Sequence, residues 1–131
     1  MGIFDFLTTE HRRIKRTAND LFVVDTAYVG DSKKPYETAV SSMLYKDGEY
    51  IIVETYDTEE DSLEGHDKWV DVMSQPTDKL PEELADVGTS EIALMIQDLD
   101  AKSLIYKKTT DETKLDENRK IWYNFLTEKK E

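Results

Sequence analysis

The chain has 131 residues, a formal charge of −12, 38% apolar and 35% charged residues, and no cysteine. That length suits one domain and that apolar supply suits one core, while the missing cysteine excludes disulfides, thiolate metal sites and cysteine nucleophiles. The acidic excess argues against a nucleic-acid surface, and no apolar run approaches the roughly 20 residues that span a bilayer.

Ile3, Phe4, Phe6 and Leu7 form an apolar head, after which Thr8 or Thr9 can cap a helix running through the basic stretch His11 to Arg16 as far as Asn19. Residues 1–20 are therefore expected to form a helical arm, either a docking segment for a partner or membrane surface, or a terminal helix over one edge of the core. Met1-Gly2 is followed by Phe6 where a myristoylation motif needs Ser or Thr. Leu21 to Val29 is rich in β-branched and aromatic residues and reads as the first strand, broken by Gly30, Asp31, Ser32 and Pro35. Tyr36 to Tyr45 and Glu49 to Tyr56 read as two further strands around Lys46-Asp47-Gly48, where Asp-Gly supplies the positive φ angles of a type I′ hairpin. In that hairpin Tyr45 and Tyr50 would face each other across the strands.

Asp57 or Thr58 can cap a helix near 58–74 whose first turn, Glu59-Glu60-Asp61, puts negative charge at the positive end of the helix dipole. Leu63, His66, Val70 and Met73, with Trp69 beside them, give an apolar stripe to lay on the sheet. Gly65 inside a helix costs about 1 kcal/mol relative to Ala, so its compensation is expected to be close approach to the sheet or to an aromatic ring. Pro81 at a first helical position predicts a short helix ending at Gly88. Thr89 or Ser90 caps a second amphipathic helix, to about Asp98, with Ile92, Met95, Ile96 and Leu99 on one face. Ser103 to Lys108 reads as a short strand, and Leu115 to Leu126 as a final helix with Leu115, Trp122, Phe125 and Leu126 inward. The expected fold is α+β, in one domain spanning 1–131. It divides into an arm at 1–20, a β-β-β-α unit at 21–75 with an antiparallel sheet of three to four strands, and a mainly helical extension at 76–131 with one short strand.

Candidate chemistry is sparse. His66 on its helix could serve as a buried acid or base near Asp25 or Glu54, or sit as a satisfied core histidine. Asp25, Glu37 and Glu54 lie on strands, where they could share a face and hold a divalent cation, or line the solvated side of an antiparallel sheet. No phosphate loop, nucleophile elbow, zinc-spaced histidine pair or EF-hand occurs, so neither cofactor nor metal is expected. Five tyrosines, Tyr28, Tyr36, Tyr45, Tyr50 and Tyr56, fall in the sheet region and suit either mixed packing or an assembly surface. Ile3, Phe4, Phe6, Leu7, Tyr45 and Tyr50 are thus the candidate interaction residues. Between Glu54 and Asp100, fifteen acidic residues stand against Lys68 and Lys79, a balance of −13, which favours basic partners.

Five segments carry a resemblance: Phe22-Val23-Val24-Asp25-Thr26, Pro35-Tyr36-Glu37-Thr38-Ala39-Val40, Ile52-Val53-Glu54, Tyr56-Asp57-Thr58-Glu59-Glu60 and Gly65-His66-Asp67-Lys68-Trp69-Val70. Together they resemble a group of small proteins of tailed bacteriophages and prophages, with Ser62 where that group often has Ala. The likeness covers roughly 22–70. It implies a phage origin and a β-rich unit followed by a packed helix, and it implies no activity. The expectation is a non-enzymatic phage protein acting by protein contact, a minor or accessory virion component found in the virion or host cytoplasm. The alternative is an early effector that inhibits a host protein through its acidic surface. Both leave self-association open.

Overall fold

A computed structural model describes residues 12–30, 33–88 and 91–128, and the fold is α+β, as the sequence predicts. Four strands, β1 (Arg12–Ala18), β2 (Val23–Tyr28), β3 (Tyr36–Ser41) and β4 (Ile51–Tyr56), form an antiparallel sheet in chain order. Helix α1 (Glu59–Met73) lies on one face. A second sheet pairs β5 (Glu83–Ala85) with β6 (Ile105–Lys107), α2 (Glu91–Ile96) lies between them in sequence, and α3 (Glu112–Glu128) closes the chain.

The first correction concerns the expected helical arm. Residues 12–18 are an edge strand, and the expectation for 1–11 lies outside the described residues. The segment Arg-Arg-Ile-Lys-Arg-Thr-Ala has no apolar stripe with which to hold a helix on a core, so its charges find partners better as a strand, whose side chains alternate between two faces. Lys15 and Thr17 reach α1 on one face, while Arg13 and Arg16 reach Asp25 on the other, with a register shift between Arg13 and Lys15 setting the alternation. The turn into β2 is held by Asn19, whose side-chain oxygen accepts from the Leu21 and Phe22 N–H groups at 2.8 and 3.1 Å. Asx residues favour such turns because their side chains mimic a backbone carbonyl.

The second hairpin forms around the expected turn. Asp47 and Gly48 have φ of 54° and 90°, and the Glu49 N–H closes on the Lys46 carbonyl at 3.0 Å. The ladder, however, stops at Val40 opposite Ile51, well short of that turn. Residues 42–50 instead form a lobe against α3, where the Asn118 amide donates to the Met43 carbonyl at 2.9 Å. Tyr45 and Tyr50 therefore do not pair. Tyr45 turns into the core and donates its hydroxyl to the Pro81 carbonyl, an acceptor that the hairpin itself does not offer.

Helix α1 starts where expected, the Thr58 hydroxyl accepting from the Asp61 N–H at 3.1 Å. Its buried face is Ser62, Gly65, His66 and Met73, with Trp69 and Val70 half-buried. Leu63 departs from the expectation: it is 38% exposed, and Ser62 takes the inward place. The helix sits so close to the sheet, over Tyr56, that only small side chains fit at that turn. Met73 joins Phe22, Val24, Val40 and Ile51 in the main core.

The extension differs most. No helix starts at Pro81: Thr77–Lys79 is a single 3-10 turn, and Glu83-Leu84-Ala85 is a strand, so the extension holds two strands rather than one. Leu84 alone points inward between exposed neighbours, an alternation of period two that three residues are too few to announce. Helix α2 ends at Ile96 rather than near Asp98, and its apolar stripe is open, with Met95 and Ile96 each 79% exposed. Its caps Thr89 and Ser90, and the Ile92 side chain, lie outside the described residues. Leu115 and Trp122 of α3 are buried as expected, with Asn118 between them; the side chains of Phe125 and Leu126 lie outside the described residues. No helix among the described residues is long and apolar enough to cross a membrane.

Candidate functional site

The polar groups singled out from sequence do not converge. Asp25 bonds apart from the other two, His66 and Glu54 stand several residues apart along one run of hydrogen bonds, and among the described residues no group of three metal-ligating side chains could hold an ion.

His66 is fully buried between α1 and the sheet. Its Nε2 lies 2.9 Å from the Thr17 hydroxyl on β1, and its Nδ1 lies 2.8 Å from the Thr26 hydroxyl on β2. Thr26 meets Thr38 of β3 at 2.6 Å, and Thr38 meets the Tyr56 hydroxyl of β4 at 3.1 Å. Tyr56 reaches Glu54 Oε1 at 3.0 Å, an oxygen that also accepts from Trp69 Nε1 at 2.9 Å and from Lys68. One chain of side-chain hydrogen bonds, buried from His66 to Tyr56 and partly open at its Thr17 and Glu54 ends, thus crosses all four strands beneath α1.

The chain has a direction. An ionised carboxylate only accepts, so the single phenol proton of Tyr56 goes to Glu54 and the Thr38 hydroxyl must donate to the Tyr56 oxygen. Thr26 then donates to Thr38, and His66 must donate to Thr26 through Nδ1–H. The remaining Nε2 of a neutral ring accepts from Thr17. Every link is satisfied without a charge on His66.

The electrostatics agree with this assignment. Burial pushes the His66 imidazole below its ordinary range, aided by the Lys15 ammonium and opposed by Asp67 and Asp25. Burial pulls the Glu54 carboxyl up, but hydrogen bonds from Lys68, Trp69 and Tyr56, with the Lys68 charge, outweigh it and leave it below its ordinary value. The Tyr56 hydroxyl is held up by burial and by Glu54, although its bond with Thr38 acts the other way, so it keeps its proton.

Asp25 serves the opposite face. Its carboxylate takes Arg13 Nε at 3.2 Å and Nη2 at 3.4 Å, and Arg16 Nη1 at 3.4 Å. Tyr50 is half-buried there, packed against Ala27 and Ala39, its hydroxyl pushed up by burial and touched by Arg16. Tyr45 is in the core, with its hydroxyl raised to about 12 by burial and by Glu82. Neither tyrosine stands as an open contact residue. Ile3, Phe4, Phe6 and Leu7 lie outside the described residues.

Sequence reasoning missed Thr17, Thr26, Thr38, Arg13 and Arg16. Threonine is an ordinary strand residue, so a run of threonines on adjacent strands gives no signal until pairing puts them on one face. The outer side of α1 borders an open groove of about 750 Å³ lined by Glu64, Asp67, Asp71, Lys68 and Lys79 among others. Against known proteins, the chain matches no family model, no curated protein and no solved structure.

Proposed function

We propose that this chain is a non-enzymatic bacteriophage protein that works through protein contacts, as a minor or accessory component of the virion. The observation that carries the reading is how the phage-like motif residues are used. Thr58 caps α1, Gly65 admits the Tyr56 ring, and His66 and Glu54 end in bonds that join helix to sheet. These residues build a scaffold, and what the scaffold presents outward is surface: the acidic side of α1 and the apolar Met95 and Ile96. Apolar side chains grouped in the open mark contact sites more often than reaction centres. Mass spectrometry of purified particles of the encoding phage tests the proposal: the chain should copurify at fixed stoichiometry, and its absence removes the virion assignment.

A second reading is favoured by charge. Glu60, Asp61, Glu64 and Asp71 are exposed along α1, an arrangement suited to an early effector that occupies a basic surface on a host protein in the cytoplasm. Affinity capture from host lysate in 0.1 and 0.5 M salt separates the two, because an effector of this kind retains a basic partner only at the lower ionic strength.

A further inference from the structure

Edge strands need fastening, and β1 is fastened in an unusual way. Beyond its ladder to β2, its side-chain hydrogen bonds to the described residues end on groups that titrate. Arg12 meets Glu59 at 3.3 Å, Lys15 meets Asp67 at 2.9 Å, Thr17 meets His66 at 2.9 Å, and Arg13 and Arg16 share Asp25. Of these partners only His66 is of the side-chain type whose charge ordinarily changes near neutrality.

We propose that β1 is an acid-released strand, held against α1 at neutral pH by the neutral, singly protonated His66 ring and let go when that ring takes a second proton.

The bond directions make the mechanism specific. Nδ1–H is committed to Thr26, because the run from Thr26 to Glu54 fixes every donor beyond it. A second proton can enter only at Nε2, where the Thr17 hydroxyl now donates. Its arrival sets two hydrogens face to face, forces Thr17 to turn, and places a full charge in a fully buried position. The surroundings do not absorb that charge. From β1, Lys15 repels it, while Asp67 on α1 is already engaged by Lys15. From β2, Asp25 acts through the sheet and is engaged by Arg13 and Arg16. From β3 the neutral Thr38 joins the chain, and on β4 Glu54 is held by Lys68, with the neutral Tyr56 between it and the ring. On α1 itself, Glu59 is engaged by Arg12.

The direction of the effect follows. The buried ring binds its proton less readily than the free one, so the fastening is complete above about pH 6.5 and is lost as the pH falls below that value. Release of β1 opens the outer edge of β2, whose backbone groups then offer a template for another strand. Acid would thereby bare the edge of β2 to a partner strand in place of β1.

Hydrogen exchange of the full chain between pH 7.5 and 5.5, corrected for intrinsic rates, tests this. The 12–18 and 23–28 segments should open progressively, at a rate approaching about tenfold per pH unit for one coupled proton, while 115–122 stays protected. Uniform loss of protection, or none, overturns the proposal. His66→Gln keeps one donor and one acceptor but cannot titrate, so its β1 exchange should be flat with pH, whereas His11→Gln should respond as the unsubstituted chain does; persistence of the response in His66→Gln is a refutation. Should His66→Gln not fold, nitrogen shifts of the native ring at pH 7.5 decide instead: the Nδ1–H tautomer supports the mechanism and the Nε2–H tautomer overturns it.

Discussion

A Cβ placed on Gly65 would land on the hydroxyl and adjoining ring carbons of Tyr56, so the helix rests directly on that aromatic ring. In an open helix Gly→Ala gains about 1 kcal/mol. Here the sign reverses. Gly65→Ala should destabilise by roughly 1–3 kcal/mol, the usual cost of overpacking, read as a lower midpoint in urea with an unchanged slope. A stabilised variant would show that α1 can lift off the sheet without loss.

The exchange of Ser62 for Leu63 on the inward face gives a paired test. Ser62 is fully buried and donates to the Glu59 carbonyl, whereas Leu63 is partly open to solvent. Leu63→Lys should change stability by no more than about 0.5 kcal/mol, as surface substitutions do. Ser62→Leu should cost roughly 1–3 kcal/mol by crowding the sheet. The opposite ranking in thermal or chemical unfolding would restore the stripe that the sequence alone suggests.

Glu54 ties Trp69, Lys68 and Tyr56 together through one oxygen. Because its folded carboxyl lies below the ordinary value of 4.5, its contribution is present above that pH and is lost as the solution becomes more acidic than the folded value. Trp69 fluorescence should therefore shift in the acid range, below pH 4.5. Glu54→Gln should abolish that shift and, with the group partly exposed, lower stability by about 1 kcal/mol.

Asp25 is the shared acceptor of two arginines whose own side chains are partly open. Asp25→Asn should leave Arg13 and Arg16 facing each other without a counter-charge, at a cost of roughly 1–3 kcal/mol. Truncating either arginine alone should cost less, since the other remains. A double-mutant cycle in denaturant gives the coupling; additive losses would mean that the two pairs act separately.

Trp122 fixes α3 to the rest of the chain, its indole N–H donating to the Asp20 carbonyl at 3.0 Å and its ring lying against Gly48. Trp122→Ala should remove about 3–5 kcal/mol. Exchange protection should fall first in α3 and in 42–50. Retention of protection there would assign the anchoring of α3 to Leu115 and Asn118.

Local chemistry wrote part of this structure into the sequence. Asp47-Gly48 takes the positive φ that its residues favour, Thr58 caps α1, and the tight approach at Gly65 follows from the cost of placing glycine in a helix. These features need only a few neighbouring residues, so they are legible one segment at a time. Tertiary structure decided the rest. Arg12–Ala18 became a strand because β2 and α1 supply its partners from elsewhere in the chain, and Tyr45 left its hairpin for an acceptor at Pro81. Thr17, Thr26, Thr38 and His66 form one directed chain only after four strands and a helix are brought into register. No short window of sequence contains that information, because a hydroxyl's partner is fixed by position in space and not by its neighbours along the backbone.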